Sequence, residues 1–139
     1  MKVIHLISGG DSGGAKTHVH SLLQNLARTI DVTMVCFMEG PFAQEARELG
    51  IPTLVFPGKN LPRVCRELKK FISEGGYQII HCHGARGNMM GALLGRATGL
   101  PVVSTVHSDY RLDYLGRPLA RLVYGTTTTV AMRLLHYPF

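Results

Sequence analysis

Val3-Ile4-His5-Leu6-Ile7-Ser8-Gly9-Gly10-Asp11-Ser12-Gly13-Gly14-Ala15-Lys16-Thr17-His18-Val19 carries the sequence from an apolar run, through a glycine-rich loop, into a helical pattern. Four glycines in six residues, Gly9 to Gly14, stand between a strand and a helix. Glycine lets the backbone come close to a ligand, and the start of a helix aims free N–H groups at it. Such a loop can cradle a phosphate or another polar ligand. It can equally be a tight turn that only packs helix on strand, and the loop by itself leaves both open.

Working outward, apolar strand-like runs and helical runs alternate roughly every 25 to 30 residues, the pattern of successive βα units on a parallel sheet. Strands are expected at 2–8, 31–37, 52–56, 77–82 and 101–106. Helical stripes run through Ala15, Val19, Leu22, Leu23 and Leu26, through Val64, Leu68, Phe71 and Ile72, and through Met89, Met90, Leu93, Leu94 and Ala97. These faces should be core. Pro41 and Pro62 suit first helical positions, and Gly50, Gly75 and Gly99 stand where helices stop. The expected fold is α/β, a single Rossmann-like parallel sheet of five or six strands with helices on both faces. In such a sheet a ligand sits beyond the carboxyl ends of the strands, where strand order reverses. The loops 8–14, 81–88 and 107–115, with sequences SGGDSGG, HCHGARGN and HSDYRLDYL, therefore carry the chemistry.

At 139 residues the chain fits one domain, able to bury ~68% of the surface its unfolded form exposes. It is 45% hydrophobic and 17% charged, a globular balance, and its longest apolar runs are too short to cross a bilayer. The first residues lack the pattern of a signal peptide, so a cytoplasmic protein is expected. Three cysteines, Cys36, Cys65 and Cys82, point to reduced thiols rather than a disulfide framework. A formal charge of +6 suits anionic partners such as nucleotide-sugar phosphates or acidic lipid headgroups. Lys59, Arg63, Arg66, Lys69 and Lys70 read as the solvated face of a helix, without the interleaved aromatics of a nucleic-acid surface, so no nucleic acid is expected.

His81-Cys82-His83 resembles a set of metal ligands, but alternate residues of a strand face opposite ways, and Cys82 points away from both histidines. No metal site is expected there. His83, with Gly84 and Arg86, can instead serve as polar groups at a strand end, or simply hydrogen-bond to backbone. His107 follows the strong strand Val102-Val103-Ser104-Thr105-Val106 and precedes Ser108 and Asp109; an imidazole there can orient a sugar hydroxyl or move a proton. His18 and His20 are two apart on a helix, cannot share a face, and read as separate, exposed residues. The dinucleotide fingerprint would need glycine where Ser8 stands, and no acid follows at its usual distance. Neither a triphosphate P-loop nor a GxSxG elbow occurs.

In register and in order, four segments resemble the N-terminal half of the GT-B glycosyltransferases of the retaining group called family 4. They are Gly13-Gly14-Ala15 with His18-Val19, Glu48-Leu49-Gly50-Ile51-Pro52, Tyr77-Gln78-Ile79-Ile80-His81-Cys82-His83-Gly84, and Gly99-Leu100-Pro101-Val102-Val103-Ser104-Thr105-Val106-His107. The resemblance implies transfer of a sugar from a nucleotide-activated donor to a sugar or lipid-linked acceptor, with retention and with no cofactor or obligatory metal. It implies that His107 is catalytic, contacting the transferred sugar, and that Gly13, Gly14, Lys16, His83, Arg86 and Asp109 bind substrate or donor, with Gly13-Gly14 the operative pair of the glycine loop and Gly9-Gly10 its flexible approach. Lys16 stands where relatives often carry glutamate.

By the same resemblance, residues 1–139 form the acceptor-side domain, and the C-terminal donor-binding domain that supplies most nucleotide contacts is absent. The fragment is then expected to be catalytically silent, and an uncovered face could self-associate. Pro118 could open a helix with Leu119, Leu122, Val123, Thr126 and Val130 on one face. It is expected to pack, while its arginines leave contact with the inner face of a membrane as an alternative. Two further classes compete: a stand-alone module that binds a nucleotide, a sugar or a membrane surface without catalysis, and a Rossmann-type oxidoreductase, against which the glycine spacing argues.

Overall fold

Alternation along the first strand, β1 (Lys2–Ile7), divides the molecule into two sides: Ile4 and Leu6 face one core, and Ile7 faces the other. The computed structural model describes residues 1–10, 13–105 and 119, and the backbone of 137 and 138. The further strands are β2 (Asp31–Cys36), β3 (Thr53–Val55), β4 (Ile79–His83), β5 (Val102–Thr105) and β6 (Tyr137–Pro138), and the helices are α1 (Gly13–Leu26), α2 (Pro41–Glu48), α3 (Leu61–Gly75) and α4 (Gly84–Thr98). The strands lie in the order β3-β2-β1-β4-β5-β6, and every neighbouring pair is parallel. Chain direction across the sheet therefore reverses between β1 and β4, the switch point of a doubly wound sheet.

The two faces are covered by different helices. α1 and α2 bury Val19, Leu23, Phe42, Ala43 and Ala46 against Val32, Met34 and Cys36 of β2. On the other face, α3 and α4 bury Val64, Leu68, Ile72, Met90 and Leu94 against Ile4, Leu6, Ile80 and Cys82. Each fully buried Leu or Ile contributes about 1.5–3 kcal/mol relative to leaving it in water, so two such layers hold the sheet. α3 shows the expected split: Val64, Leu68 and Ile72 point inward, while Arg63, Arg66, Lys69 and Lys70 are exposed; Lys59, also exposed, stands before the Asn60 cap and not on the helix. Arg63 pairs with Glu67 at 2.8 Å, and the Asn60 side chain caps the helix by accepting from the Arg63 N–H at 3.1 Å.

Three expectations shift. The β4 run starts at Ile79 rather than at 77, because Tyr77 turns its side chain into the core and its hydroxyl donates to Thr33 Oγ1 at 2.8 Å. α3 ends one residue later than expected, and Gly76, with φ of 69°, makes the left-handed cap. The third change concerns α4. Leu93 is 43% exposed and Ala97 is also exposed, whereas the buried face carries Gly87, Gly91 and Gly95 between Met90 and Leu94.

A β-carbon at Gly87 would strike the backbone oxygen of Leu6, one at Gly91 the Cys82 sulfur, and one at Gly95 the Val102 side chain. The glycines let the helix axis approach the sheet closely, which turns the larger residues at 93 and 97 outward. At the rims of the sheet, β3 has three residues and follows Pro52, and β6 has two, the second of which is Pro138. The helix expected from Pro118 lies outside the described residues, apart from Leu119. Among the described residues no helix is long and apolar enough to cross a membrane.

Candidate functional site

At the switch point Ile7 of β1 stands beside His83 of β4, the last residue of each strand. From there the chain leaves in two different ways. β1 runs into Ser8-Gly9-Gly10 and the first turn of α1, whereas β4 passes directly into α4 at Gly84, with no intervening loop. Both helices thus begin at the same rim of the sheet, and neither has an acidic residue in its first turn. The free N–H groups and partial positive charge of a helix start favour an anion at that rim.

Within the glycine loop the two pairs differ. Gly9 has φ of 91°, and a β-carbon on it would lie 2.8 Å from the Met38 carbonyl oxygen; one on Gly10 would lie 2.9 Å from the Met38 sulfur. Gly9-Gly10 is therefore a packed seam against the end of β2, not the flexible approach expected of it. Gly13 has φ of 63° and Gly14 is helical, both are exposed, and among the described residues a β-carbon on either would meet no neighbour within 4 Å. This pair is the accessible part of the loop.

Lys16 lies one turn into α1, and its ammonium contacts Glu45 of α2 at 2.8 Å. That contact holds the Glu45 carboxyl below the usual range. His20 is not exposed as expected: Phe42 of α2 packs against it at a tilt of 51° with ring centroids 4.5 Å apart, and it is 6% exposed. Burial lowers its pKa, and Glu45, 4.0 Å away, partly opposes that shift.

On the opposite side of the switch point, Arg86 donates to the Gly58 carbonyl at 3.2 Å and lies 5.3 Å above the Phe37 ring. It ties α4 to the segments that leave β2 and β3. Two residues on, Asn88 Oδ1 accepts from the buried Ser104 hydroxyl at 2.6 Å and holds α4 to β5. Neither Asn88 nor Ser104 stands out in the sequence, because a buried polar pair is recognised only when both partners are placed.

His83 is 1% exposed and belongs to a group of three imidazoles. Parallel pairing sets His5 of β1 opposite His81 of β4, with His83 two residues further on the same face. His5 Nδ1 and His83 Nε2 are 3.1 Å apart, and His81 Nε2 is 2.7 Å from Thr105 Oγ1. Burial, with a smaller contribution from His81, pushes the His5 pKa down to about 3, so His5 is neutral at physiological pH. In the sequence His5 is one residue of an apolar run and draws no notice. The signal that could have found it is the β1–β4 pairing, which joins positions 76 residues apart. His107 and Asp109 lie outside the described residues.

A rim of backbone N–H groups at two helix starts, with no carboxylate in either first turn, can hold a polyanionic group and stabilise negative charge that develops on it. The sequence model of glycosyltransferase family 4 matches residues 12–133. The chain is 30% identical over 114 residues to D-inositol 3-phosphate glycosyltransferase 1 of Catenulispora acidiphila, a match covering 72% of this chain and 27% of that protein. In fold it resembles Anabaena Alr3699/HepE, solved with UDP-glucose, with a TM-score of 0.71 at 18% identity over 99% of this chain and 43% of that one. It also resembles Acinetobacter baumannii MurG, with a TM-score of 0.70 at 13% identity over 99% of this chain and 40% of that one. The chain spans about a quarter of the length of the curated relative and about two fifths of these solved structures.

Proposed function

The chain belongs to glycosyltransferase family 4, and on that premise we propose that it forms one wall of a crevice in which a sugar passes from a nucleotide-activated donor to an acceptor with retained anomeric configuration. The observation that carries this reading is the placement of two helix starts, α1 at Gly13 and α4 at Gly84, on either side of the β1–β4 switch point. In the transfer, the bond from the anomeric carbon to the diphosphate oxygen breaks, a bond to the acceptor oxygen forms, and the proton that the acceptor hydroxyl gives up passes to the departing diphosphate. Negative charge grows on the departing diphosphate, and preorganised N–H groups at Gly13 and Gly14 stabilise it without reorganisation.

Each named residue has its part. Gly13-Gly14 offers backbone to the diphosphate, and His107, with Asp109, contacts the transferred sugar. Lys16 and Arg86 act by fixing the walls, through Glu45 and through Gly58 and Phe37 respectively. His83 backs the crevice from beneath, where it is buried. The relatives are longer than these 139 residues, and the nucleotide is held by a second Rossmann-like domain beyond them, so that residues 1–139 by themselves turn over no sugar. UDP is the first nucleotide to try, since the Anabaena neighbour was solved with UDP-glucose.

Calorimetric titration of the chain with UDP-glucose and with NAD(P), followed by a transfer assay on the chain joined to a donor-binding half, tests this proposal. The expected result is transfer by the joined protein only, with retained configuration by NMR of the product. Saturable NAD(P) binding at low micromolar concentration, or an inverted product, overturns it.

A further inference from the structure

Sugar transfer makes no use of His5 and His81, and a role for these two residues stands independently of it. Three imidazoles stand on one face of the sheet, with ring centroids 4.5, 4.8 and 5.5 Å apart, and each offers a ring nitrogen within 4.8 Å of the other two. The closest nitrogens, His5 Nδ1 and His83 Nε2, are 3.1 Å apart. Two ligands on one tetrahedral zinc ion stand ~3.3 Å apart, given Zn–N bonds of about 2.0–2.1 Å. Among the described residues no carboxylate belongs to the group. His5 Nε2, sealed from solvent, has no hydrogen-bond partner among the described residues.

We propose that His5, His81 and His83 bind a late first-row divalent cation, zinc foremost, through three imidazole nitrogens, with the fourth position open to water. Imidazole is the protein ligand common to zinc, copper and nickel sites, and three histidines with one open position is an established zinc coordination. Thr105 supplies the outer partner. With His81 Nε2–H donated to its hydroxyl at 2.7 Å, the His81 Nδ1 lone pair is the one that ligates.

Binding carries a conformational cost. The rings lie 17 to 33° from parallel, and their lone pairs converge only when the rings fan apart. The His5–His83 hydrogen bond is given up, and His81, the half-buried member, turns to admit the ion. The affinity is correspondingly modest, in the micromolar range rather than that of a closed structural site. The bound ion joins β1 to β4, so it acts on the stability of the switch point and takes no part in sugar transfer.

The test uses the chain without a histidine tag. Competition with a chromophoric chelator is expected to show one equivalent of Zn²⁺ per chain, and Co²⁺ to give the visible ligand-field bands of a tetrahedral site. His81→Ala, at a half-buried position, is expected to weaken binding by roughly tenfold or more and to abolish those bands while the far-UV circular dichroism is unchanged. His83→Gln is expected to behave alike; should it fail to fold, His81→Ala decides alone. Absence of Zn²⁺ binding, or binding to His81→Ala as tight as to the parent chain, overturns the proposal.

Discussion

The two strand exits at the switch point use glycine for opposite purposes. After β1, Gly13 and Gly14 stand exposed where, among the described residues, an added β-carbon would meet no neighbour, and after β4, Gly87 and Gly91 are buried where a β-carbon would collide with the sheet. The first exit keeps backbone accessible to a ligand, while the second removes side chains so that a helix can seat itself. Glycine enrichment alone does not distinguish a binding loop from a packing face; the identity of the neighbouring atoms does.

The sharpest way to break this contrast is Gly87→Ala. Its methyl group meets the Leu6 carbonyl, which is backbone and cannot swing aside, so stability should fall by about 3 kcal/mol, measured by urea denaturation. An effect below ~0.5 kcal/mol would show that α4 seats more loosely on β1 than this contact requires.

Acid should act next in size, and on the β4 side. His5 is held neutral with a pKa near 3, against 6.5 in the unfolded chain, so below pH 6.5 the unfolded chain takes up a proton that the folded chain refuses. Stability is then full above that pH and falls as pH drops, by up to about 1.4 kcal/mol per unit. Buried His20 acts in the same direction. Glu45 and Glu39, whose carboxyls sit low beside Lys16 and Arg47, add losses once the pH falls through their own range. Denaturation midpoints between neutral pH and pH 5 measure the slope, and a flat profile would contradict the burial of His5.

On the β1 side the expected effects are smaller. Gly13→Ala places a side chain at positive φ and should cost about 1 kcal/mol, whereas Gly14→Ala, in open helical geometry, should be neutral or slightly stabilising. Thermal melts of the pair provide the check. Smallest of all, Lys16→Ala removes a partly exposed ion pair and should change stability by under about 1 kcal/mol in low salt and less in high salt.

Much of the fold is legible because hydrophobic periodicity is local. Strands 2–8 and 31–37 and the α1 and α3 stripes need only neighbouring residues, and the doubly wound order follows from their alternation with helices. What the sequence hides depends on partners distant along the chain. His20 reads as exposed until Phe42 of α2 is laid over it. His5 reads as one more core position until β4 is paired with β1. In α4 Met90 and Leu94 are buried as read, but counting apolar residues also places Leu93 and Ala97 inside, because glycine gives no hydrophobic signal even where it forms the contact surface. Of the candidate site, the loop at Gly13 and the strand end at His83 are found by position, but the engagement of Lys16 with Glu45 and of Arg86 with Gly58 is not.

The rims of the sheet have a consequence for the protein in concentrated solution. A strand at an open edge offers unpaired N–H and C=O groups to any passing chain, which is how sheets from different molecules fuse. Here one border is three residues long and preceded by Pro52, and the other is two residues long and includes Pro138, whose ring nitrogen has no hydrogen to donate. Among the described residues, rims this short offer a foreign strand little to pair with, so crowding is resisted by the covalent structure of the rims as well as by the net positive charge.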